Sequence, residues 1–490
     1  MFGLLISGKI SGQATNRMLG DGEGGDIEKT SYRLFTELKW DSLIQFNTYA
    51  IKQGTDYFYL RERLGIAWYE KQNYRKAVEN LEVAYTMNPT DNYNNATLYW
   101  CYLNAGRRGD ASLFGIKMSN ESQAYYKYSK SKLVENVFVE SGPSFSGNYK
   151  AQEDIQIQGT DTTIYGENNL SGNSFYTHAG ITTKLFPWLK IYQGYSQINT
   201  DMQKRSVFRI QYPSITDHDT TGAYQNKQHE YYLSASIFPK QGWTITPSFH
   251  YIYSEALSFN YHYYWDTTLY WANPGWDTAQ TVQYYDNYAF IDTAKIFHNY
   301  VASLGISYDY KAFNFYAYGS FSRINSLNQK SAGFSISWFP KGNLDIYSVS
   351  SLSVMQSEYW KLGGSSGKGY GAGNGISSYS KQTDNRLILN QKLGVKLQHK
   401  IWLEGSISFG DLDMYSDQNA FIVYNVADKI KQKAGLALIC PINPRYELFL
   451  RYNRYLRQSS YITYTGSETF TTNSVNYLNH SVIGGIKWYF

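Results

Sequence analysis

Several stretches of this sequence hold residue types that do chemistry in other settings, and their spacing decides what they can do here. Asn479-His480-Ser481 sets an amide, an imidazole and a hydroxyl in a row, the groups of a nucleophile and its base. On a strand, neighbouring side chains point to opposite faces, so the three cannot converge on one bond. The run from Gly363 to Gly369 suggests a phosphate loop, but Leu362 stands where the first Gly is needed and no Ser or Thr follows Lys368. It reads as a flexible surface loop. Asp161, Asp219 and Asp266, each followed by two threonines, match no calcium loop and read as turn formers. The eight histidines lack metal-ligand spacing, and Cys101 and Cys440 form neither a CxxC nor a disulfide framework. The expectation is a protein that is not an enzyme, with no cofactor, metal or catalytic site.

Two constellations remain. The first is charge at alternate positions of apolar strands: Lys184, Asp309, Asp345, Lys392, Lys396, Glu404, Glu447, Arg451 and Lys487. If those strands close into a barrel, this set lines its lumen, where mixed charge either tunes the passage of solutes or knits the interior with ion pairs. The second is a crowd of rings and carboxylates between Ser254 and Phe297, including Trp265, Asp266, Trp271, Trp276 and Asp277. As an exposed loop it would stack on sugar rings and accept their hydroxyl hydrogen bonds.

The elements that position these residues follow from periodicity. Hydrophobic residues make up 42% of the 490, and no run of about 20 apolar residues exists to form a spanning helix. A barrel hides its hydrophobicity by alternation, and 49 Tyr with 12 Trp suit interfacial girdles and aromatic loops. Leu387, Leu389, Leu393, Val395 and Leu397 share one strand face while Asn390, Lys392 and Lys396 share the other. Tyr446, Leu448, Leu450 and Tyr452 oppose Glu447, Arg451 and Asn453 in the same way. Tight turns recur at Leu185–Leu189, Ile237–Trp243, Tyr310–Phe313, Trp338–Leu344, Leu397–Ile401 and Cys440–Tyr446. These hairpins, with one further strand at each end, predict an antiparallel barrel of about 14 strands over residues 133–490. Opposite the tight turns, seven long connections are expected: Ser146–Ser174, Thr200–Gln228, Ser254–Phe297, Arg323–Lys330, Gln356–Asn385, Leu412–Ile430 and Gln458–Asn479.

Before the strands the period is helical, over residues 27–132. Leu64, Gly65 and Trp68 on one helix, then Ala77, Leu81 and Ala84 on the next with Pro89 after it, resemble the tetratricopeptide (TPR) pattern. The small Gly65 and Ala77 allow two antiparallel helices to approach, and Leu64, Trp68 and Leu81 fill their seam. Leu98, Tyr102 and Ala111 repeat the pattern once, and Leu38, Leu43 and Ala50 suggest an earlier unit. Residues 1–26 read as a signal-peptide remnant or disordered tail.

The chain ends on an alternating strand, His480–Phe490, in which Gly485, Trp488 and Phe490 resemble the carboxy-terminal insertion signal of Gram-negative outer-membrane barrels. That resemblance implies outer-membrane lipid and the barrel-assembly machinery as partners. Both chain ends then lie beside the short turns, which places the helical domain in the periplasm. A tetratricopeptide domain followed by a barrel is similar in order to the export porins of bacterial exopolysaccharides. It implies a channel or export component whose helical domain recruits a periplasmic protein. The other expectations are a closed barrel anchoring aromatic loops for surface glycan binding or envelope assembly, and a barrel lipase or protease. A net charge of +5, scattered along the chain, gives nucleic acid no footprint.

Overall fold

A computed structural model describes residues 24–153, 165–210, 216–271, 280–362, 379–398, 400–417, 419–425, 428–464 and 470–490. Its architecture is a helical region followed by a closed antiparallel barrel of 14 strands, as the sequence predicts. The helices are α1 (Gly24–Thr36), α2 (Trp40–Lys52), α3 (Phe58–Glu70), α4 (Tyr74–Met87), α5 (Asn92–Asn104), α6 (Arg108–Phe114) and α7 (Asn120–Tyr125). Gly24 to Asp26, expected in the tail, open α1, and residues 1–23 lie outside the described residues.

Helices α3 and α4 pack where Gly65 presents no side chain, since a Cβ there would stand 2.5 Å from Leu81 Cδ2. Leu64, Ala77, Leu81 and Ala84 are buried with it, Trp68 packs on the rim of the cluster, and Pro89 is exposed at the turn that follows. Leu98, Tyr102 and Ala111 join the same core, whereas Leu43 and Ala50 are buried in an earlier one. Leu38 is no core residue; it takes a positive φ of 54° in the turn between α1 and α2 and is exposed.

The barrel runs β1 (Lys132–Ser146), β2 (Tyr165–Phe186), β3 (Leu189–Ile210), β4 (Thr216–Ile237), β5 (Trp243–Trp271), β6 (Gln280–Tyr310), β7 (Phe313–Ile324), β8 (Leu327–Trp338), β9 (Ile346–Leu362), β10 (Tyr379–Lys396) and β11 (Trp402–Phe409). A small two-stranded hairpin follows, β12 (Ser416–Asp417) with β13 (Ile422–Val423). The wall then resumes with β14 (Lys429–Asn443), β15 (Tyr446–Tyr464) and β16 (Phe470–Tyr489). Each strand pairs with its sequence neighbour, and β16 closes on β1 with Val137 opposite Trp488 and Val139 opposite Ile486. Closure leaves no edge strand unpaired, which is the condition for crossing lipid with strands.

Alternation sorts the faces as read from the sequence. Leu387, Leu389, Leu393, Leu436 and Leu450 stand on the outside at about half exposure, far more than a water-soluble core strand tolerates. Lipid is the solvent that such a face requires. Rings gather at its turn-side rim: Trp488 stacks on Phe490 at 4.4 Å and on Tyr446 at 5.6 Å, and Phe186 stacks on Trp188 at 5.3 Å. A second ring level lies farther up the strands, where Tyr195, Tyr251 and Tyr452 hydrogen-bond to His229, His298 and His480 across neighbouring strands. The protein is thus a closed 14-strand antiparallel β-barrel with an apolar outer face and a helical region at its amino end.

All six tight turns fall where expected, but several of the long connections are largely strand: Thr200–Gln228, Gln356–Asn385 and Gln458–Asn479 extend their ladders to Ile210 opposite Thr216, Leu362 opposite Tyr379 and Tyr464 opposite Phe470. Arg323–Lys330 is a two-residue hairpin turn in which Asn325 and Ser326 take φ of 50° and 65°. Both values belong to the turn type that matches strand twist. Ser254–Trp271 and Gln280–Phe297 continue the wall as a long β5–β6 ladder, with Trp265 opposite Asp286, Asp266 opposite Tyr285 and Trp271 opposite Gln280. Those three residues are strand residues and not loop residues, because the aromatic and Thr-rich sequence favours extended pairing; Trp276 and Asp277 lie outside the described residues. Asp219 likewise sits in β4 and pairs with Arg205 at 2.6 Å, so the turn expected there is absent. Asp266 is on β5, and Asp161 lies outside the described residues, as does the 363–378 segment. Leu412–Ile430 departs differently, by turning into the barrel.

Candidate functional site: a plugged and capped lumen

The segment expected as an outer loop at Leu412–Ile430 turns inward. From its root on β11 and β14 it crosses the lumen as the β12–β13 hairpin and touches the opposite wall with its tip. Asn419, at φ 57°, is the centre of that contact. Its side-chain oxygen accepts from Ser303 Oγ and Tyr316 OH, both at 3.1 Å, and its Nδ2 donates to the carbonyl of Thr246 at 3.2 Å. Its own carbonyl accepts from Ser248 Oγ at 2.7 Å and Tyr232 OH at 3.1 Å, while His250 Nδ1 donates to the Ala420 carbonyl at 2.7 Å. An Asn suits this place because it tolerates the left-handed backbone and offers a donor and an acceptor together.

Apolar packing adds to these bonds. Leu412, Tyr415 and Tyr424 pack on Met355, Ile388 and Ile430, and Ala420 and Val423 pack on Ile252, Val301 and Ile324. Those wall residues point into the lumen, and the hairpin covers them. The side chain of Phe421 lies among His178, Tyr192 and Tyr232. Apolar residues at the lumen parity of β5, β6, β7, β9, β10 and β14 are the sequence signal for the plug, and the sequence reading passed over them.

Beside the hairpin a cavity of about 700 Å³ remains. Of the lumen set, Lys392, Glu404, Glu447, Arg451 and Lys487 line it. Lys392 reaches Glu404 at 3.4 Å, and Arg451 reaches Glu140 at 3.1 Å. Tyr347 also donates to Glu404, and Lys487 lies over the Tyr489 ring at 5.2 Å. The other four residues of the set serve the turn-side mouth. Lys396 pairs with Asp345 at 3.3 Å, Lys184 donates to the Ser129 carbonyl at 2.8 Å, and Asp309 accepts from Arg75. Glu140, Glu230, Lys433 and Arg457 also line the cavity and were missed, since charge on a single strand gives no hint of its partner across the bore.

That mouth is capped by the helical region. The buried Arg75 guanidinium of α4 bonds Asp309 at 3.1 Å and the carbonyls of Lys311 and Phe313 at 3.1 and 3.3 Å, with its plane over Phe339 at 4.0 Å. Asp110 accepts from the Gly242 backbone at 2.6 Å, Ser112 donates to the Pro187 carbonyl at 2.7 Å, and Asn343 donates to the Gln72 carbonyl at 3.1 Å. Gly109 lies so close to Phe238 that a Cβ would stand 2.5 Å from the ring. Arg108 lies over Tyr489, at the barrel's closing strand, at 5.4 Å. The tight turns β2–β3, β4–β5, β6–β7 and β8–β9 are therefore all held by one helical surface.

His480 faces outward on Tyr452 while Asn479 and Ser481 are buried facing in, so the three do not converge. Among the described residues no group of three or more His, Cys, Asp or Glu is placed to hold a metal ion.

No protein-family model matches the chain, and no curated protein matches it in sequence. Among solved structures, the toluene transporter TbuX of Ralstonia pickettii superposes with a TM-score of 0.40 at 8% identity, over 73% of this chain and 90% of that one. The Pseudomonas putida toluene transporter TodX gives 0.40 at 7%, with the same coverage. A Pseudomonas aeruginosa FadL homologue also gives 0.40 at 7%, over 73% and 90%. At this level of superposition the likeness lends no weight to any function.

Proposed function

We propose that the protein is an outer-membrane channel or export component whose passage is shut at rest by the β12–β13 hairpin, with the helical unit in the periplasm as the cap that recruits a partner protein. The observation that supports it is the lumen itself. A barrel that serves only as an anchor can fill its bore with side chains; this one keeps about 700 Å³ of space bordered by charges of both signs and blocks it with a single hairpin. The cap suits recruitment because the surface that closes the tight turns is continuous with the helix pairs. We read those pairs as a tetratricopeptide-like unit from the small Gly65 and Ala77 at their seam, and stacked helix pairs present faces to other proteins.

The closed-anchor reading draws on one specific observation, the apolar packing that holds the hairpin in place. Conductance separates the two. In planar bilayers the intact chain should be silent or nearly so, and a chain whose residues 412–425 are replaced by a short Gly-Ser turn should conduct. A folded replacement that stays silent supports the anchor.

A further inference from the structure

Helices α3 and α5 present an aromatic face to solvent that the barrel contacts leave uncovered. Tyr93 and Trp100 lie seven residues apart on α5, hence on one stripe about 10 Å long, and are 59% and 42% exposed. Trp100 packs on Tyr126 at 5.9 Å, Tyr126 packs on Tyr125 at 4.9 Å, and Tyr69 of α3 lies beside Trp100. Three carboxylates border these rings: Glu62 and Glu70 of α3, and Asp91, which caps α5 through the Asn94 backbone at 2.8 Å. Glu62 is only 8% exposed and lies within hydrogen-bonding reach of Asp91. None of the three forms an ion pair among the described residues. The adjacent Arg63 is committed to Glu28 at 2.6 Å.

We propose that this face docks a basic, extended segment of the partner protein, with Lys or Arg heads over Trp100, Tyr93 and Tyr126 and against Glu62, Glu70 and Asp91. The proposal rests on the recruiting role given to the helical unit and names its chemistry. Rings attract cations through their π faces, and the attraction grows where water is excluded. Burial, with Asp91 beside it, pushes the Glu62 carboxyl up to about 7 although Arg63 offsets part of the rise, and an incoming cation would relieve the crowded carboxyl pair. A neutral sugar would stack on the rings but leave that repulsion in place. Anionic lipid would add to it.

The test uses the full chain in lipid nanodiscs and a fluorescent octapeptide with three Lys or Arg alternating with Gly, against the same peptide with Glu in place of the basic residues. The basic peptide should bind, more weakly as salt is raised, and the acidic one should not. Trp100→Ala and the near-isosteric Glu70→Gln, combined, should weaken binding about tenfold while the melting of the helices stays as in the parent. Equal binding of both peptides, or no loss in the double variant, overturns the proposal. So does binding of a neutral β-1,4-linked tetrasaccharide that Trp100→Ala abolishes, which would mark a glycan face. A nitroxide at Tyr93→Cys, in a Cys440→Ser background, that meets oxygen more readily than a polar quencher would mark a membrane-facing surface instead. Photo-crosslinking from position 93 in cells separates the two levels of the argument. Capture of a partner through a segment without basic residues keeps recruitment and refutes the basic chemistry.

Discussion

If the hairpin is the gate, its tip residue should set how often the lumen opens. Asn419→Ala removes three side-chain hydrogen bonds, from Ser303, from Tyr316 and to Thr246. Each such bond contributes roughly 0.5–1.5 kcal/mol net. The substitution also leaves Ala at φ 57°, a backbone that costs about 1 kcal/mol more for Ala than for Asn or Gly. Together the docked hairpin loses roughly 3–5 kcal/mol, and each ~1.4 kcal/mol is a tenfold change in a two-state equilibrium. The undocked population should therefore rise at least a hundredfold. Asn419→Gly loses the same bonds without the backbone cost and should fall between parent and Ala. The assay is single-channel recording from purified chains, with heat-modifiable migration on a gel confirming that each barrel has closed. The expected result is long silent periods in the parent, more frequent openings in Asn419→Gly and the most in Asn419→Ala. All three should share one open conductance, which the 412–425 replacement shows continuously. Folded variants that open no more often than the parent, alongside a replacement that conducts, would place the gate elsewhere, and the helical cap becomes the next candidate.

Further tests address the cap and the helix pairs. Arg75→Met removes the guanidinium that Asp309 and two turn carbonyls share and leaves a partly buried carboxylate unpaired; a loss of about 3–5 kcal/mol should free the helical unit from the barrel. Limited proteolysis should then cut between residues 126 and 132 faster while the barrel stays intact, and an unchanged cleavage rate would contradict the docking. Gly65→Leu drives a side chain into Leu81, costs about 1–3 kcal/mol, and should lower the melting of the helices and not of the barrel. The Glu62 carboxyl, raised by burial to about 7, keeps its proton in the folded state while the unfolded chain releases it near the ordinary 4.5. The helical unit should therefore lose stability as pH rises from about 4.5 to 7 and level off above; Glu62→Gln should flatten that slope, as urea melts at pH 5 and pH 8 will show. Finally, with Cys440→Ser to remove background, a cysteine at Asn325 should react with an impermeant reagent on intact cells and one at Lys341 should not. The reverse pattern inverts the topology and removes the periplasmic cap.

The sequence by itself determined much of what local periodicity governs, though not how far the strands run into the expected loops. Alternation in Leu387–Leu397 and Tyr446–Asn453 fixed which residues meet lipid, and six recurring turns fixed the number and order of strands, because a strand's period and a tight turn are properties of a few consecutive residues. Small Gly65 and Ala77 at helical spacing likewise fixed the close α3–α4 seam. Three-dimensional structure alone decided what fills the bore. Whether Leu412–Ile430 runs outward or inward depends on Ile252, Val301, Ile324, Met355 and Ile388, brought together from five strands only after the barrel closes. The same holds for the pairs that span the molecule, Arg75 with Asp309 and Arg451 with Glu140, whose partners are separated by 234 and 311 residues. A lone charge on a strand predicts a polar face. Its counter-charge is chosen by curvature and register, which no single stretch of sequence contains.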